Sequence, residues 1–330
     1  MDPHVYPGDV GKIELTETHI SFLFFTGEYV YKVKKPVDFG FLDFTSLAKR
    51  KKYCHEEVSL NSGLAPGVYI GVIPITLVDG QYAVEGPGTP VEYAVKMRQL
   101  PRYRSLDNLI DSCQISKLEI AMISEKVASF HSDAETSAKI TELGGIRVVR
   151  QNIEENFTQI EKFIGSSISK RVFQDLKAYS HAFLNAKEDS FSRRASQGCI
   201  RDCHGDLRAA HFFLEDGPNG PKSKVNIIDR IEFNRRFRYS DVANDVAFLA
   251  MDLDYRQQPS LSRSFVDGYI RASGDMGIRE FIDFFKIYRA FVRGKISSFQ
   301  MEGQNLSKED RKSLLSEAQG YFRLAHSYLP

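Results

Sequence analysis

The sequence lacks an excess of charge of either sign. Its 44 Lys and Arg residues balance 43 Asp and Glu residues, which leaves a formal net charge of +1 at pH 7. Such a balance creates no overall field that would favour nucleic acid or an anionic membrane surface. We therefore expect neither a nucleic-acid nor a membrane partner, and recognition must depend on local groups.

Long apolar runs and paired cysteines are also scarce. No run approaches the roughly 18 apolar residues that a membrane span needs, and the first residues, MDPHVYPGDV, lack the basic and then apolar order of a signal peptide. The four cysteines, Cys54, Cys113, Cys199 and Cys203, form neither a CxxC pair nor a zinc-like spacing. The sequence predicts a cytoplasmic protein with reduced thiols.

The sequence has no G-x-x-x-x-G-K-[ST] motif, which excludes a P-loop nucleotide site from the chain. What it does have is enough length and apolar content, 330 residues with 42% hydrophobic residues, for about two domains. The two halves of the chain show different periodicities.

The first hundred residues have the pattern of a small antiparallel sheet with one helix. Residues 12–35 contain two β-rich runs around a hairpin turn at 26–28, and residues 45–66 carry helical spacing between a Thr or Ser cap and a Gly-Pro stop. Further strands are predicted at 68–78 and 91–100.

From residue 105 onward the pattern changes to long amphipathic helices, for example at 117–135, 152–165 and 171–187. The short runs 211–214 and 225–229 interrupt them as a predicted hairpin, with a turn-rich link at 215–223. The fold class is therefore predicted to be α+β, with a β-rich first part joined to a mainly helical second part.

Residues able to do chemistry concentrate near this hairpin, in the run 203-CHGDLRAAHFFL-214 and the strand that ends 225-VNIID-229. Asp206 can orient or deprotonate a hydroxyl, Arg208 can neutralise phosphate charge, His211 can coordinate a metal, and Asp229 is suited to Mg²⁺. Two acids and a cation near one another suit phosphoryl transfer. The alternative is that HGD is an ordinary loop turn with a capping aspartate.

Three blocks in this order resemble one known superfamily. The run 204-HGDLRAAH-211 resembles the H-x-D-x-x-x-x-N catalytic loop of the protein-kinase-like superfamily, in the form found in aminoglycoside and choline phosphotransferases. The run 227-IIDR-230 is similar to the metal-binding Asp of that group, and 240-SDVANDVAFL-249 resembles its G-D-P-x-x-D-L-A segment. Asp241 and Asp245 are predicted to brace the loop and to cap the helix that follows.

More particularly, phrases such as YKVKKPVDFGFLDF look like an uncharacterised bacterial aminoglycoside-phosphotransferase-like group, some of whose members are fused to a P-loop ATP-binding domain. Because this chain has no P-loop motif, such a domain would here be a separate partner protein.

The resemblance implies a bilobal kinase-like fold with an N-lobe at 1–97, a hinge at 98–105 and a helical C-lobe at 106–330. Lys32 would bind the nucleotide phosphates, with Lys34 as its rival on the same strand face. Glu57, in preference to Glu56, would pair with that lysine. The residues implied to lie beside adenine are Met97, Arg98, Gln99 and Leu100.

The implied function is an ATP-dependent transfer of the γ-phosphoryl group to a hydroxyl of a small molecule. Asp206 would accept the hydroxyl proton, Arg208 would stabilise the transferring group, and His211 with Asp229 would hold Mg²⁺. The alternatives are a nucleotide-binding pseudokinase or scaffold, and a kinase-fold enzyme that acts on a protein.

Two departures from the kinase pattern bear on this prediction. His211 replaces the metal-binding Asn, and imidazole is a softer ligand than Mg²⁺ prefers. Either Asp229 carries most of the metal binding, or Mn²⁺ is used, or phosphoryl transfer is slow. The phosphate loop, residues 18–28, contains one glycine, so Thr18 and Ser21 are either phosphate contacts or plain strand residues.

The acceptor is predicted from the arginines beyond Asp229. Residues 230–238 contain four arginines and one glutamate, and residues 98–104 add three arginines. Arginine suits phosphate or carboxylate, so we expect an anionic or neutral hydroxylated metabolite in preference to a polycationic aminoglycoside. Alternatively, these arginines bind surface acids and helix ends of the protein itself.

Overall fold

The computed structural model describes residues 2–303 and 306–330. Within these ranges the chain divides into two compact units, the first made of Met1–Cys113 and Ala210–Arg235, and the second of Gln114–Ala209 and Arg236–Pro330. The predicted hinge at 98–105 lies inside the first unit, and the lobe boundaries at 97 and 106 stay a prediction.

The strands of the described residues are β1 Glu14–Glu17, β2 Ser21–Phe25, β3 Tyr29–Lys34, β4 Tyr69–Val78, β5 Gln81–Val84, β6 Pro90–Arg98, β7 Ile200–Asp202, β8 Phe212–Gly217, β9 Gly220–Ile227 and β10 Tyr239–Asp241. The helices are α1 Leu47–Asn61, α2 Leu106–Asp111, α3 Lys117–Asp133, α4 Ala138–Gly144, α5 Ile146–Ile160, α6 Lys170–Ala186, α7 Glu188–Ser196, α8 Arg235–Arg238, α9 Val242–Tyr255, α10 Pro259–Ser273, α11 Ile282–Gln300 and α12 Lys308–Ser327. The α+β prediction is confirmed.

The first unit is built on a six-stranded antiparallel sheet in the order β1-β2-β3-β6-β4-β5. The turn between β2 and β3 lies at Thr26–Glu28 as predicted, with Gly27 at φ +95° and the Thr26 N–H bonded to the Tyr29 carbonyl. The first predicted run is two strands, β1 and β2, and β5 was not predicted. Helix α1 begins after the cap Ser46 and packs on β4 and β6.

The second segment of the first unit is the β8–β9 hairpin and the residues after it. The predicted hairpin is confirmed, with Phe212 opposite Ile227 in an antiparallel register. Strand β9 contacts the loop between α1 and β4, because the Ile227 N–H bonds to the Leu64 carbonyl. This contact brings the residues after β9 to the end of α1.

The second unit is helical apart from the two-stranded antiparallel pair β7–β10. Helix α9 is its centre, since all but two of its residues are buried, and α10, α11 and α12 pack around it. Gly144 at the end of α4 allows a close approach to the strand pair, because a Cβ there would lie 2.4 Å from Ile200 Cγ2. No helix among the described residues is long and apolar enough to cross a membrane.

Candidate functional site

Strand β3 presents two lysines to one side of the sheet. Lys32 and Lys34 are two residues apart, so their side chains share a face, and Lys32 sits between Leu23 of β2 and Val95 of β6. Both are buried, with relative exposures of 8% for Lys32 and 1% for Lys34. Buried lysines require carboxylate partners, because an uncompensated charge is costly away from water.

Helix α1 supplies the first of these partners. Glu57 is fully buried, and its Oε1 lies 2.8 Å from Lys32 Nζ, while its Oε2 lies 2.7 Å from Lys34 Nζ. Glu56 is half-buried and points elsewhere on the helix. The structure therefore joins Glu57 to both candidate lysines, and which of the two binds phosphate stays a prediction.

The segment after β9 supplies two more carboxylates. Asp229 Oδ1 lies 2.6 Å from Lys32 Nζ, and Glu232 pairs with Lys34. Asp229 has φ +64°, a left-handed conformation that Asp tolerates better than most residues and that occurs where surrounding contacts impose it.

Two side chains of the first unit impose that conformation. The Asp229 N–H donates to the Tyr69 hydroxyl at 3.1 Å, and the next N–H, of Arg230, donates to Asn61 Oδ1 at 2.9 Å. Asn61 lies one helical turn after Glu57, to whose carbonyl it donates at 2.8 Å. The same end of α1 thus holds both Glu57 and the backbone beside Asp229.

The cluster shifts the pKa values of both lysines and both glutamates. Burial alone would lower the pKa of Lys32, but Asp229 and Glu57 raise it well above its ordinary value. Burial likewise opposes a rise in the pKa of Lys34, yet Glu232 and Glu57 raise it. The pKa of Glu57 is lowered, because Lys32 and Lys34 outweigh its burial, whereas burial raises the pKa of Glu232.

His211 lies beside Asp229 in the same unit. Its Nε2 is 3.5 Å from Asp229 Oδ2, and its carbonyl accepts a hydrogen bond from the Ile228 N–H at 3.0 Å. A carboxylate oxygen and an imidazole nitrogen at this separation fit a divalent cation. The carboxylate suits Mg²⁺, while the imidazole suits Mn²⁺ better.

The residues predicted to lie beside adenine follow the end of β6. Met97 and Leu100 belong to an apolar cluster with Val30, Val68 and Ala65. The side chains between them bind the protein itself, because Arg98 donates to both oxygens of Glu215 at 2.8 and 2.7 Å, and Gln99 Oε1 accepts from the Gly27 N–H at 3.2 Å. An adenine contact by these residues stays a prediction.

The predicted phosphate loop closes on itself. The Thr18 hydroxyl accepts from the Ser21 N–H at 2.9 Å and donates to the Ser21 carbonyl at 3.1 Å, which makes Thr18 the turn residue between β1 and β2. The Ser21 hydroxyl is buried and has no hydrogen-bond partner. A phosphate contact by either residue stays a prediction.

The HGD loop belongs to the second unit, where α9 holds it. Asp245 Oδ2 accepts from the His204 N–H at 2.6 Å, and its Oδ1 accepts from the Gly205 N–H at 2.9 Å. Gly205 has φ +88°, which explains the glycine at this sharp turn. Asp252, two turns further along α9, accepts from the Ala209 N–H at 2.8 Å. These contacts agree with the bracing role predicted for Asp245.

Asp241 acts at the start of the same helix. It caps α9 by accepting from the Ala243 N–H at 2.8 Å, and it forms two bonds with Arg194, at 2.6 and 2.7 Å. This matches the capping role predicted from the sequence.

Asp206 and Arg208 form a two-bond ion pair on this loop. Arg208 Nε donates to Oδ1 at 2.9 Å and Nη2 donates to Oδ2 at 3.0 Å, and about a quarter of each side chain remains exposed. Burial of the guanidinium would lower the pKa of Arg208, but Asp206 raises it above its ordinary value. The sequence predicted separate roles for these two residues and did not predict their contact.

His131, Cys203 and Asp245 approach one another in the second unit. Each has an ordinary partner, because His131 Nδ1 lies 2.9 Å from the Tyr269 hydroxyl and the Cys203 thiol donates to the Ser240 carbonyl at 3.3 Å. Burial, followed by the charge of Asp245, raises the pKa of Cys203 well above its ordinary value, which disfavours the thiolate that a metal needs.

Several arginines that suggested an anionic acceptor bind acids of the protein. Arg236 donates to both oxygens of Glu155 at 2.7 Å, and Arg238 pairs with Asp202. Arg98 pairs with Glu215 as described above. These contacts agree with the alternative reading of the arginines, and the anionic acceptor stays a prediction.

Sequence reasoning missed Glu232, Asn61 and Tyr69. Glu232 could have been noticed as the one acidic residue in the arginine-rich run 230–238, and Asn61 as the residue four positions after Glu57 on one helix face. Nothing in the local sequence marks Tyr69, because its hydroxyl meets a backbone group 160 residues away.

No protein-family model matches this sequence. It is 31% identical over 284 residues to uncharacterized proteins of Mycobacterium bovis and Mycobacterium tuberculosis, an alignment that covers 86% of this chain and 54% of each of those proteins. The chain thus spans about half the length of the curated relatives it matches.

Solved structures resemble the whole chain. A choline/ethanolamine kinase family protein from Mesorhizobium loti has a TM-score of 0.53 at 11% identity and covers 98% of this chain and 93% of its own. The GDP complex of aminoglycoside 2'-phosphotransferase-IIIa has a TM-score of 0.52 at 13% identity, with 96% and 94% covered. Spectinomycin phosphotransferase with ADP and spectinomycin has a TM-score of 0.51 at 12% identity, with 98% and 95% covered.

Proposed function

We propose that this protein, which has the protein-kinase-like fold of the choline kinase and aminoglycoside phosphotransferase structures, transfers the γ-phosphoryl group of ATP to a hydroxyl of a small molecule. The observation that supports this most directly is the position of Lys32, which bonds at once to Glu57 of α1 and to Asp229 after the β8–β9 hairpin. A buried lysine paired with a helix glutamate, beside an aspartate, is the arrangement that phosphoryl transfer uses.

On the nucleotide side, Lys32 would bind phosphate oxygens while Glu57 fixes its position. Asp229 and His211 would hold the metal ion, which when bound neutralises charge on the phosphates. The Tyr69 hydroxyl and Asn61 fix the backbone at Asp229 and Arg230, so the carboxylate is presented in one orientation. Met97 and Leu100 would supply apolar contacts for the base.

On the acceptor side, Asp206 would orient the hydroxyl and take its proton. The acceptor oxygen forms a bond to the γ-phosphorus as the bond to the ADP oxygen breaks, and the hydroxyl proton passes to the Asp206 carboxylate. Arg208 would stabilise charge on the transferring group. The proposed acceptor is a hydroxylated metabolite, either anionic or neutral.

The proposed transfer is an activity of this chain, which spans about half the length of its curated relatives. In addition, we propose a P-loop ATP-binding protein as a partner, because some members of the group that the sequence resembles are fused to such a domain.

The test is isothermal titration of ATP and a non-hydrolysable analogue into the wild type and Asp229→Ala, each with Mg²⁺, Mn²⁺ or no metal. We expect metal-dependent binding that the substitution removes. Metal-dependent binding by wild type would then justify a screen of hydroxylated metabolites as acceptors. Absence of nucleotide binding under every condition would reject the proposal.

One observation favours a second function, a nucleotide-binding protein that does not transfer phosphate. Both carboxylate oxygens of Asp206 bond to Arg208, so the proposed base already has a strong partner. In that case ATP would bind and the wild type would release no ADP with any acceptor, including water. Turnover by the wild type would reject this second function.

A further inference from the structure

A second buried ion pair lies next to the one between Lys32 and Glu57. Lys34 contacts Glu57 Oε2 at 2.7 Å and pairs with Glu232, and the exposed fractions of these side chains are 0% for Lys34 and 4% for Glu232. The transfer proposed above uses neither Lys34 nor Glu232. Burying a further pair of charges carries a desolvation cost. The question is what this second pair does for the neighbouring groups.

The geometry at Glu57 shows how the second ion pair affects the first. Each oxygen of its carboxylate takes a different lysine, Oε1 bonding to Lys32 at 2.8 Å and Oε2 to Lys34 at 2.7 Å. A terminal carboxylate rotates easily about its last bond when one oxygen alone is held. Because both oxygens are held, the plane of the carboxylate is fixed and Oε1 meets Lys32 in one place.

The balance of charges in the cluster also points to a role for Lys34. Two lysines, Lys32 and Lys34, face three carboxylates, those of Glu57, Asp229 and Glu232. Without Lys34, Lys32 would be the one lysine of this cluster left to balance all three carboxylates. A lysine attracted by three carboxylates at close range is held more strongly and is less available to a phosphate group.

We propose that Lys34, held by Glu232, is a positioning residue that fixes Glu57 and keeps Lys32 available for the nucleotide phosphates. The inference rests on the function proposed above. It assigns the second lysine of the YKVKK run a role of its own, which acts through Glu57 and involves no contact with the nucleotide.

The test is titration with two probes, ATP with Mn²⁺ and adenosine, which has no phosphate. Lys34→Met should weaken ATP binding about tenfold or more and leave adenosine binding unchanged, because the effect reaches the ligand through Lys32. The double variant Lys34→Met/Glu232→Gln should recover only part of the ATP affinity, since it restores the charge balance around Lys32 but leaves Glu57 Oε2 without its lysine. Lys35→Met is the matched control, because Lys35 directly follows the last residue of β3 and pairs with the exposed Glu17.

Each contrary result has a distinct meaning. Unchanged ATP affinity in Lys34→Met, or equal losses for ATP and adenosine, would overturn the inference while leaving the proposed function in place. A wild type that binds no ATP overturns the proposed function first and the inference with it.

If Lys34→Met does not fold, as judged by circular dichroism and thermal melting, Glu232→Gln carries the test. It keeps Lys34 but removes its second carboxylate, and it should weaken ATP binding a few-fold, with adenosine binding unchanged. ATP affinity equal to that of the wild type in Glu232→Gln would overturn the inference.

Discussion

Arg208 binds both carboxylate oxygens of Asp206, at 2.9 and 3.0 Å, on a loop whose backbone is held by Asp245. Two parallel bonds from one guanidinium fix the plane of a carboxylate as well as its distance. The pair therefore orients Asp206 before any acceptor arrives.

Asp206→Asn should lower the rate of ADP release from ATP by about 10²- to 10⁴-fold, the usual contribution of a general base. ATP affinity should stay unchanged, because Lys32, the proposed phosphate ligand, bonds to Glu57 and Asp229 and not to Asp206. The measurement is a coupled assay of ADP release with water as the acceptor. Asp267→Asn, an exposed aspartate paired with Arg279, is the control, and a wild-type rate in Asp206→Asn would contradict the proposed base.

Glu57→Gln should destabilise the protein by roughly 3–5 kcal/mol, because the amide is neutral and leaves two buried lysines short of a shared anion. Urea denaturation followed by fluorescence of the tyrosines measures the difference. Glu56→Gln is the matched control, since it makes the same chemical change one residue earlier at a half-buried position. Equal losses in the two variants would show that the buried pairing at Glu57 contributes little.

Because of Asp245, the free energy of unfolding should fall at acid pH. Burial alone would raise its pKa, but the hydrogen bond from His131 and the neighbouring charges lower the pKa from 3.8 to about 2. Since the folded-state pKa lies below the unfolded value, the stabilisation is present above about pH 4 and is lost as the pH falls towards about 2. The pKa difference corresponds to about 2 kcal/mol.

The check is urea denaturation of the wild type and of Asp245→Asn. Each is measured at neutral pH and at steps between about pH 4 and pH 2. The wild type should lose about 2 kcal/mol more than the variant over that interval. If the unfolding free energies of the two proteins fall in parallel with pH, Asp245 is not the cause of the acid dependence.

Gly144→Ala should destabilise the second unit by about 1–3 kcal/mol, the usual cost of an overpacked contact. Its Cβ would lie 2.4 Å from Ile200 Cγ2 and 2.9 Å from the Tyr239 carbonyl oxygen, and the latter is backbone that cannot rotate away. Thermal melting measures the loss. Gly63→Ala is the control, because a Cβ there meets nothing within 4 Å.

Local sequence patterns predicted those parts of the fold in which one element buries one face. Strands β3, β4 and β6 and helices α1, α3 and α6 appear close to their predicted positions, because periodicity and caps such as Ser46 act within a few residues. Strand β5 was missed, since four residues in a turn-rich stretch give too short a pattern. Helix α5 begins at Ile146, six residues before its predicted start.

The candidate site was predictable only where a motif marks it. The resemblance named Lys32, Glu57, Asp206 and Asp229, and the structure brings three of these together in the first unit. The second pair, Lys34 with Glu232, joins residues 198 positions apart, and no short pattern encodes such a contact. The ion pair between Arg208 and Asp206 was likewise missed, because other rotamers of these two side chains would keep them apart.

The separation in sequence between Lys32 and Asp229, 197 residues, also bears on how the protein is made. A ribosome completes β3 and α1 long before it reaches Asp229 and Glu232, so a nascent chain of the first 113 residues holds Lys32 and Lys34 with Glu57 but without those two acids. A domain folds as a unit once its residues have been made. The first unit therefore reaches its final charge balance only after the segment Ala210–Arg235 has left the ribosome, by which time Gln114–Ala209 has already been synthesised.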